Sequence, residues 1–422
     1  MDRHEEVAQA VAAAIATERL RILAGLIRTT NDWYLAEDSI QDAIERALMR
    51  WPEDGIPDNP AAWLTTTAYR RALDVLRRRR VEGQKLREVA AMASSQGTSG
   101  SGLDPYADVY RDDQLRLVFT CCHPALPLAG RVALTLKTVA GLSTAQIARS
   151  FLVSEATMGQ RLLRTRNKIA HAGIRLQVPE PPRLAERTAG VLAVIYLIFT
   201  EGYGAPESEV AVDLATEAIR LAELLTRLLP HEAEAHGLHA LLLLQHARRS
   251  ARTTREGDLI PMEEQDRSRW DQDMITAGLS ALNVARATAD QPGPYLLQAE
   301  IAAIHIAAPT AAATDWTAVI AGYDALLRLQ PSPVIALNRA LAVGLRDGPA
   351  AGLDLLEQLD HDPRLGSYHL LPAAQADLLR RAGRREEAAA AYRKALTLVD
   401  AAGERRFLQH RLHEVLSEPD TS

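Results

Sequence analysis

Apolar residues recur at three- and four-residue intervals along most of the chain, the spacing that lines one face of an α-helix. In "EDSIQDAIERALMRW", Ile40, Ile44, Leu48 and Trp51 make one row. Asp38, Gln41, Asp42 and Glu45 make a second, so a helix with a core face and an acidic solvent face is expected. Over residues 143–170, Met158, Leu162, Thr165 and Ile169 form a packing row. Thr157, Arg161, Arg164 and Lys168 form a basic row roughly 90° away. Ser143 and Ser154 stand where a hydroxyl can accept an unpaired first-turn N–H, which predicts two short helices meeting at a turn.

Breaks in the pattern divide the chain. "WPEDGIPDNP" (51–60) is a turn signal, "SSQGTSGSG" (94–102) has linker composition, and "VPEPPRL" (178–184) cannot continue a helix. The expected domains are 1–91, a flexible linker 92–104, 105–177, a helical middle domain 183–290 and helical repeats over 291–418. The repeats rest on "GYDALLRLQP" and "AYRKALTLVD", which align Tyr323 with Tyr392, Leu327 with Leu396 and Leu329 with Leu398. That offset is about twice a 34-residue unit, and the segment resembles a tetratricopeptide repeat.

Composition strengthens the helical reading. Four Phe in 422 residues, with abundant Ala, Leu and Arg, favour an all-α chain of several domains. No apolar run is long enough to span a membrane and no signal peptide opens the chain, so a cytoplasmic location is expected. The two cysteines, Cys121 and Cys122, are adjacent, which suits a reducing compartment. The net charge of −6 hides an asymmetry: residues 1–178 hold 24 Lys+Arg against 20 Asp+Glu (+4), and the remainder 24 against 34 (−10). Basic residues concentrate at 70–80 and 161–168, two stations suited to one polyanion.

Other candidate chemistry is thin. "CCHP" (121–124) lacks the usual spacing of zinc ligands, and a buried helix end is the simpler reading. "IFTEGYGAP" lacks the lysine of a phosphate loop, and residues 248–271 alternate charge sign as a salt-linked surface would. No catalytic constellation, cofactor site or metal site is expected.

"VALTLKTVAGLSTAQIARSFLVSEATMGQRLLRTRNKI" resembles region 4 of extracytoplasmic-function sigma factors. "AEDSIQDAIERALMRW" followed by "NPAAWLTTTAYRRALDVLRRRR" resembles their region 2. The resemblance implies a region 2 bundle over 1–91 and a region 4 helix-turn-helix over 105–177, acting with core RNA polymerase on promoter DNA. It implies that Glu37, Asp38, Gln41 and Asp42 bind the β′ clamp helices, with the β flap a further contact. Asp58, Asn59, Trp63, Thr67, Arg70, Arg71, Arg77 and Arg78 would hold the opened −10 element. Ser154, Thr157, Gln160, Arg161, Arg164 and Lys168 would read the −35 element. An aromatic ring among cations suits unstacked bases, although Trp63 is equally readable as core. Gly159 departs from the family, which often places a cation there. The long C-terminal half resembles the subgroup with an extension, through "YLIFTEGYGA" and "EEQDRSRWD", and it is expected to modulate activity, by covering the DNA-binding faces or by bracing them. The alternatives are a stand-alone helix-turn-helix regulator with a tetratricopeptide sensor domain and a repeat scaffold without DNA affinity.

Overall fold

The structure, a computed structural model, describes residues 3–30, 32–90, 106–151, 153–203, 214–254, 258–399 and 402–417. Among the described residues the fold is all-α: helices joined by short 3-10 and π turns, with one isolated β-bridge, Thr253 to Leu259, and no strand. The chain divides into two compact units, essentially residues 1–197 and 198–422. The expected linker, 92–104, lies outside the described residues.

The first unit opens with α1 (Arg3–Thr30), α2 (Trp33–Asp54) and α3 (Pro60–Ala90), packed against one another. Ile22, Leu23, Ala24, Leu26 and Ile27 of α1 are all buried, on every side, because α4 (Tyr106–Cys121) also packs on this helix. In α2 the expected core row needs correcting. Ile40 and Trp51 are buried, but Ile44 is half-buried and Leu48 is 41% exposed; Leu35, Ala36, Ala43 and Ala47 complete the buried face. Alanines let the neighbouring helices approach closely, so the packed face is rotated toward the smallest residues. The helix also continues through Pro52 to Asp54, which shortens the expected break to residues 55–59.

α5 (Leu128–Thr135), a π turn (Leu136–Ala140), α6 (Thr144–Ser150) and α7 (Glu155–His171) follow α4. Gly141, at φ +82°, ends the π turn in the left-handed region. This half is clasped to α1. Arg28 Nε pairs with Oδ2 of the fully buried Asp113 at 2.8 Å, and Arg19 Nη1 donates to the Thr138 carbonyl at 3.1 Å. Pro181 begins α8 (Pro181–Tyr203) rather than merely ending what precedes it, as proline does where an N–H would have no partner. The expected boundary at 183 therefore lies inside α8, and so does the division between the units.

The second unit runs through α9 (Leu214–Leu228), α10 (Ala233–His246), α11 (Gln272–Thr288) and α12 (Pro294–Ala307). Three helix pairs come next: α13 (Trp316–Leu329) with α14 (Pro333–Asp347), α15 (Pro349–Glu357) with α16 (Leu370–Arg381), and α17 (Arg385–Leu398) with α18 (Ala402–Ser417). Small residues set the spacing: a Cβ on Gly352 would lie 2.8 Å from the Gly344 Cα. First helices begin at 316, 349 and 385, intervals of 33 and 36 residues, and α13 and α17 have equal length at the offset of 69.

His305 of α12 meets the edge of Trp316 at 5.5 Å between ring centres. Burial, reinforced by Arg248 and Arg267, pushes its pKa down from 6.5 to about 4. Between these values the unfolded chain binds the extra proton, so the stability His305 contributes is complete above pH 6.5 and lost as pH falls toward 4. The loss is up to about 1.4 kcal/mol per pH unit. Urea denaturation at pH 7 and pH 5 should show this loss, reduced in His305→Gln.

Candidate nucleic-acid interface

The helix-turn-helix forms as its caps dictate. Ser143 Oγ accepts from the Gln146 N–H at 3.1 Å while Gln146 Oε1 accepts from the Ser143 N–H at 2.8 Å, a reciprocal capping box. Ser154 Oγ accepts from the Thr157 N–H at 3.2 Å and opens α7. Met158, Leu162, Thr165 and Ile169 are buried as expected. A Cβ on Gly130 would lie 2.6 Å from Thr165 Oγ1, so α5 crosses α7 closely and fixes its orientation.

The opposite side of α7 is open. Ser154, Thr157, Gln160, Arg164 and Lys168 are exposed and Arg161 is half-buried, so all six expected −35 residues lie on or beside one surface. Ser154 and Thr157 also share a hydroxyl contact of 2.8 Å, and Arg164 Nε donates to the Gln160 carbonyl at 3.3 Å. Nothing lies within 4 Å of a Cβ on Gly159. A longer side chain therefore fits there without repacking. Gly159→Arg should steepen the salt dependence of DNA binding by about 0.9 in slope, and Arg161→Ala and Arg164→Ala should each flatten it by the same amount if they contact phosphate. Affinity titrations across a salt series read both changes; unchanged slopes would remove α7 from the interface.

On α3, Trp63, Thr67, Arg70 and Arg77 succeed one another at helical spacing of 4, 3 and 7, which places an aromatic ring and two guanidinium groups along one face. Trp63 is half-buried, edge-on to the buried Trp51 at 5.4 Å, so it has both a packed and an open side. Asn59 caps α3, its Oδ1 accepting from the Ala62 N–H at 3.0 Å, and Asp58 beside it is exposed. Arg78 is exposed, Arg77 lies 3.5 Å from Asp74, and Arg71 is ion-paired with Asp42.

That last pair joins two expected sets, and a second pair ties the polymerase-binding set to a residue of α7 outside every expected set. Glu37 Oε1 accepts from Arg166 Nη2 of α7 at 2.6 Å, across 129 residues. The Arg166 guanidinium lies 5.1 Å from the Tyr34 ring centre and 5.9 Å from that of Trp33. Sequence reasoning missed Arg166 as a contact between helices, since a fourth cation in a basic helix gives no sign that it turns inward. What remains open on α2 is a row at spacing 4, 3, 4 and 3: Tyr34, Asp38, Gln41, Glu45 and Leu48, with Met49 beside it at 74% exposure. Exposed apolar side chains therefore stand beside the carboxylates of this row.

Cys121 and Cys122 lie in the core of this unit, and burial pushes their thiols up, Cys122 to about 11. No cluster of metal-ligating side chains occurs among the described residues, and no helix among them is long and apolar enough to cross a membrane.

Three family models match successive parts of the chain. Residues 15–82 match sigma-70 region 2, residues 116–169 match sigma-70 region 4, and residues 187–286 match a family of unknown function, DUF6596. An uncharacterized protein of Rhizobium meliloti is 42% identical over 413 residues, covering 97% of this chain and 96% of its own length. A probable ECF RNA polymerase sigma factor SigI of Mycobacterium tuberculosis is 30% identical over 188 residues, 44% of this chain and 62% of that protein. No solved structure matches significantly. The two sigma-70 regions support a sigma factor role. The chain belongs to one family with the Rhizobium meliloti protein, and it carries in order sigma-70 region 2, sigma-70 region 4 and the DUF6596 domain.

Proposed function

We propose that the chain is a promoter-specificity subunit of bacterial RNA polymerase, working in the cytoplasm without catalysis of its own. The observation that carries this is the succession of sigma-70 regions 2 and 4 on one chain. In this reading the α2 row around Asp38 and Gln41 docks on the β′ clamp helices, and the face of α3 with Trp63, Thr67, Arg70 and Arg77 holds the opened −10 strand. The row from Thr157 to Lys168 reads the −35 element, and region 4 also meets the β flap.

Geometry adds a requirement. The −10 and −35 elements are 25 base pairs apart by their numbering, about 85 Å of duplex, whereas Glu37 and Arg166 are in contact. Regions 2 and 4 must part before both elements are engaged, so the paired arrangement is a resting form.

The second unit modulates this step. Its helix pairs, recurring at 33 and 36 residues, support a tetratricopeptide-like reading. A chain ending at Leu197 should differ from the intact chain in initiation rate; equal rates would remove the second unit from regulation. Selection of genomic fragments tests the main reading. With core polymerase present, the chain should enrich fragments sharing a spaced pair of elements. Equal enrichment without polymerase would make it a stand-alone regulator instead.

A further inference from the structure

The charge-alternating stretch before α11 has a place in the second unit that the proposed function does not use. Residues 258–264, Asp-Leu-Ile-Pro-Met-Glu-Glu, run against the C-terminal helices. Asp258 Oδ1 meets Arg406 Nε of α18 at 2.5 Å, Glu263 Oε2 meets Arg381 Nη2 of α16 at 2.6 Å, and Glu264 pairs with Arg411 of α18. The partners are 148, 118 and 147 residues apart in sequence. Leu259, Ile260, Pro261 and Met262 are half-buried between the charged ends.

The segment is fastened at both ends. Ile260 N–H donates to the Arg252 carbonyl at 2.7 Å, next to the Thr253–Leu259 bridge. Beyond the acidic pair, Arg267 Nη1 donates to the carbonyls of His305 and Ala308 at 2.8 and 2.7 Å. Between these anchors three carboxylate–guanidinium pairs join it to α16 and α18.

The receiving face is built to hold carboxylates. Arg381 Nε rests on Asp377 Oδ2 at 2.7 Å, and Arg411 Nη1 on Glu414 Oε2 at 2.9 Å with its guanidinium 5.3 Å from the Phe407 ring centre. Each braced fork therefore offers a further N–H edge to an incoming acid, the geometry that makes Arg a carboxylate reader. Residues 370–417 hold nine Lys+Arg against six Asp+Glu, +3 within a half of the chain that is −10. Glu264 is 54% and Asp258 42% exposed, so water reaches these pairs and an incoming carboxylate can exchange with them.

We infer that the α16–α18 face is a docking surface for an acidic peptide segment of a partner protein, carboxylates flanking a short apolar run, and that residues 258–264 occupy it in the free chain as an internal stand-in. The inference does not depend on the sigma factor reading. Binding of the partner segment displaces the stand-in.

The probe is a labelled peptide of residues 258–266 and the protein is the full chain. Asp258→Asn, Glu263→Gln and Glu264→Gln together should expose the face and bind the peptide at least about tenfold more tightly than the unaltered chain, whose tethered segment competes at about mM effective concentration. Arg381→Gln with Arg406→Gln and Arg411→Gln, added to that variant, should abolish binding. In the unaltered chain, excess peptide should raise amide hydrogen exchange across 258–266, a readout that needs no variant. No binding by a folded triple variant, or no exchange change in the unaltered chain, would make the segment a fixed clasp and overturn the proposal. Stronger competition by a DNA oligonucleotide of equal charge would overturn it in favour of a nucleic-acid face.

Discussion

Arg166→Met should cost the first unit about 2 kcal/mol and let its two sigma-70 regions move apart. The guanidinium is 8% exposed and its partner Glu37 21%. Removing one member of a buried pair leaves the other charge short of solvent and partner, about 3–5 kcal/mol when both are fully buried; the access of Glu37 to water reduces that figure. Methionine fills most of the volume between Trp33 and Tyr34, so lost charge rather than a cavity dominates. Adding Glu37→Gln should restore more than half of the loss, because the stranded carboxylate is gone. Denaturant titration of the four chains of this cycle measures the coupling, and fluorophores at the exposed positions Asp58 and His171 report the separation. Full stability and an unchanged distance in Arg166→Met would show that the pair does not hold the resting form.

Asp38→Arg with Leu48→Asp should weaken binding to core polymerase by at least about a hundredfold, some 2.7 kcal/mol. Both side chains are on the open row of α2, so neither change disturbs the packing of Leu35, Ala43, Ala47 and Trp51. Charge reversal places repulsion where the proposed docking needs attraction, and the second change removes an apolar contact at the same face. Size-exclusion binding to core polymerase measures the loss, and circular dichroism confirms the fold. Retained binding would move the docking surface off α2.

Much of the architecture is legible in the sequence where information is local. The hydroxyls of Ser143 and Ser154 cap the helices they are expected to cap, and the row from Met158 to Ile169 is buried, because caps and periodicity are written within a few residues. The 69-residue offset between Tyr323 and Tyr392 corresponds to two helices of equal length. Periodicity misplaces Leu48 of α2, since hydrophobicity marks large side chains while Ala43 and Ala47 set the actual approach of helices. Arg166 and the partners of Asp258, Glu263 and Glu264 could not be found from sequence. An ion pair spanning more than a hundred residues exists only once packing has chosen which charges meet. The expected −10 and polymerase-binding sets touch through Asp42 and Arg71, which spacing along either helix does not reveal.

In the proposed role this chain makes core RNA polymerase start at particular promoters. Run-off transcription on a fragment selected by chain and core together measures it directly. A transcript of defined length is predicted only when both are present, and it should be lost on alteration of either the −10 or the −35 element of the fragment. No defined transcript from any selected fragment, with core polymerase that is active under another sigma factor, would rule out the proposed role.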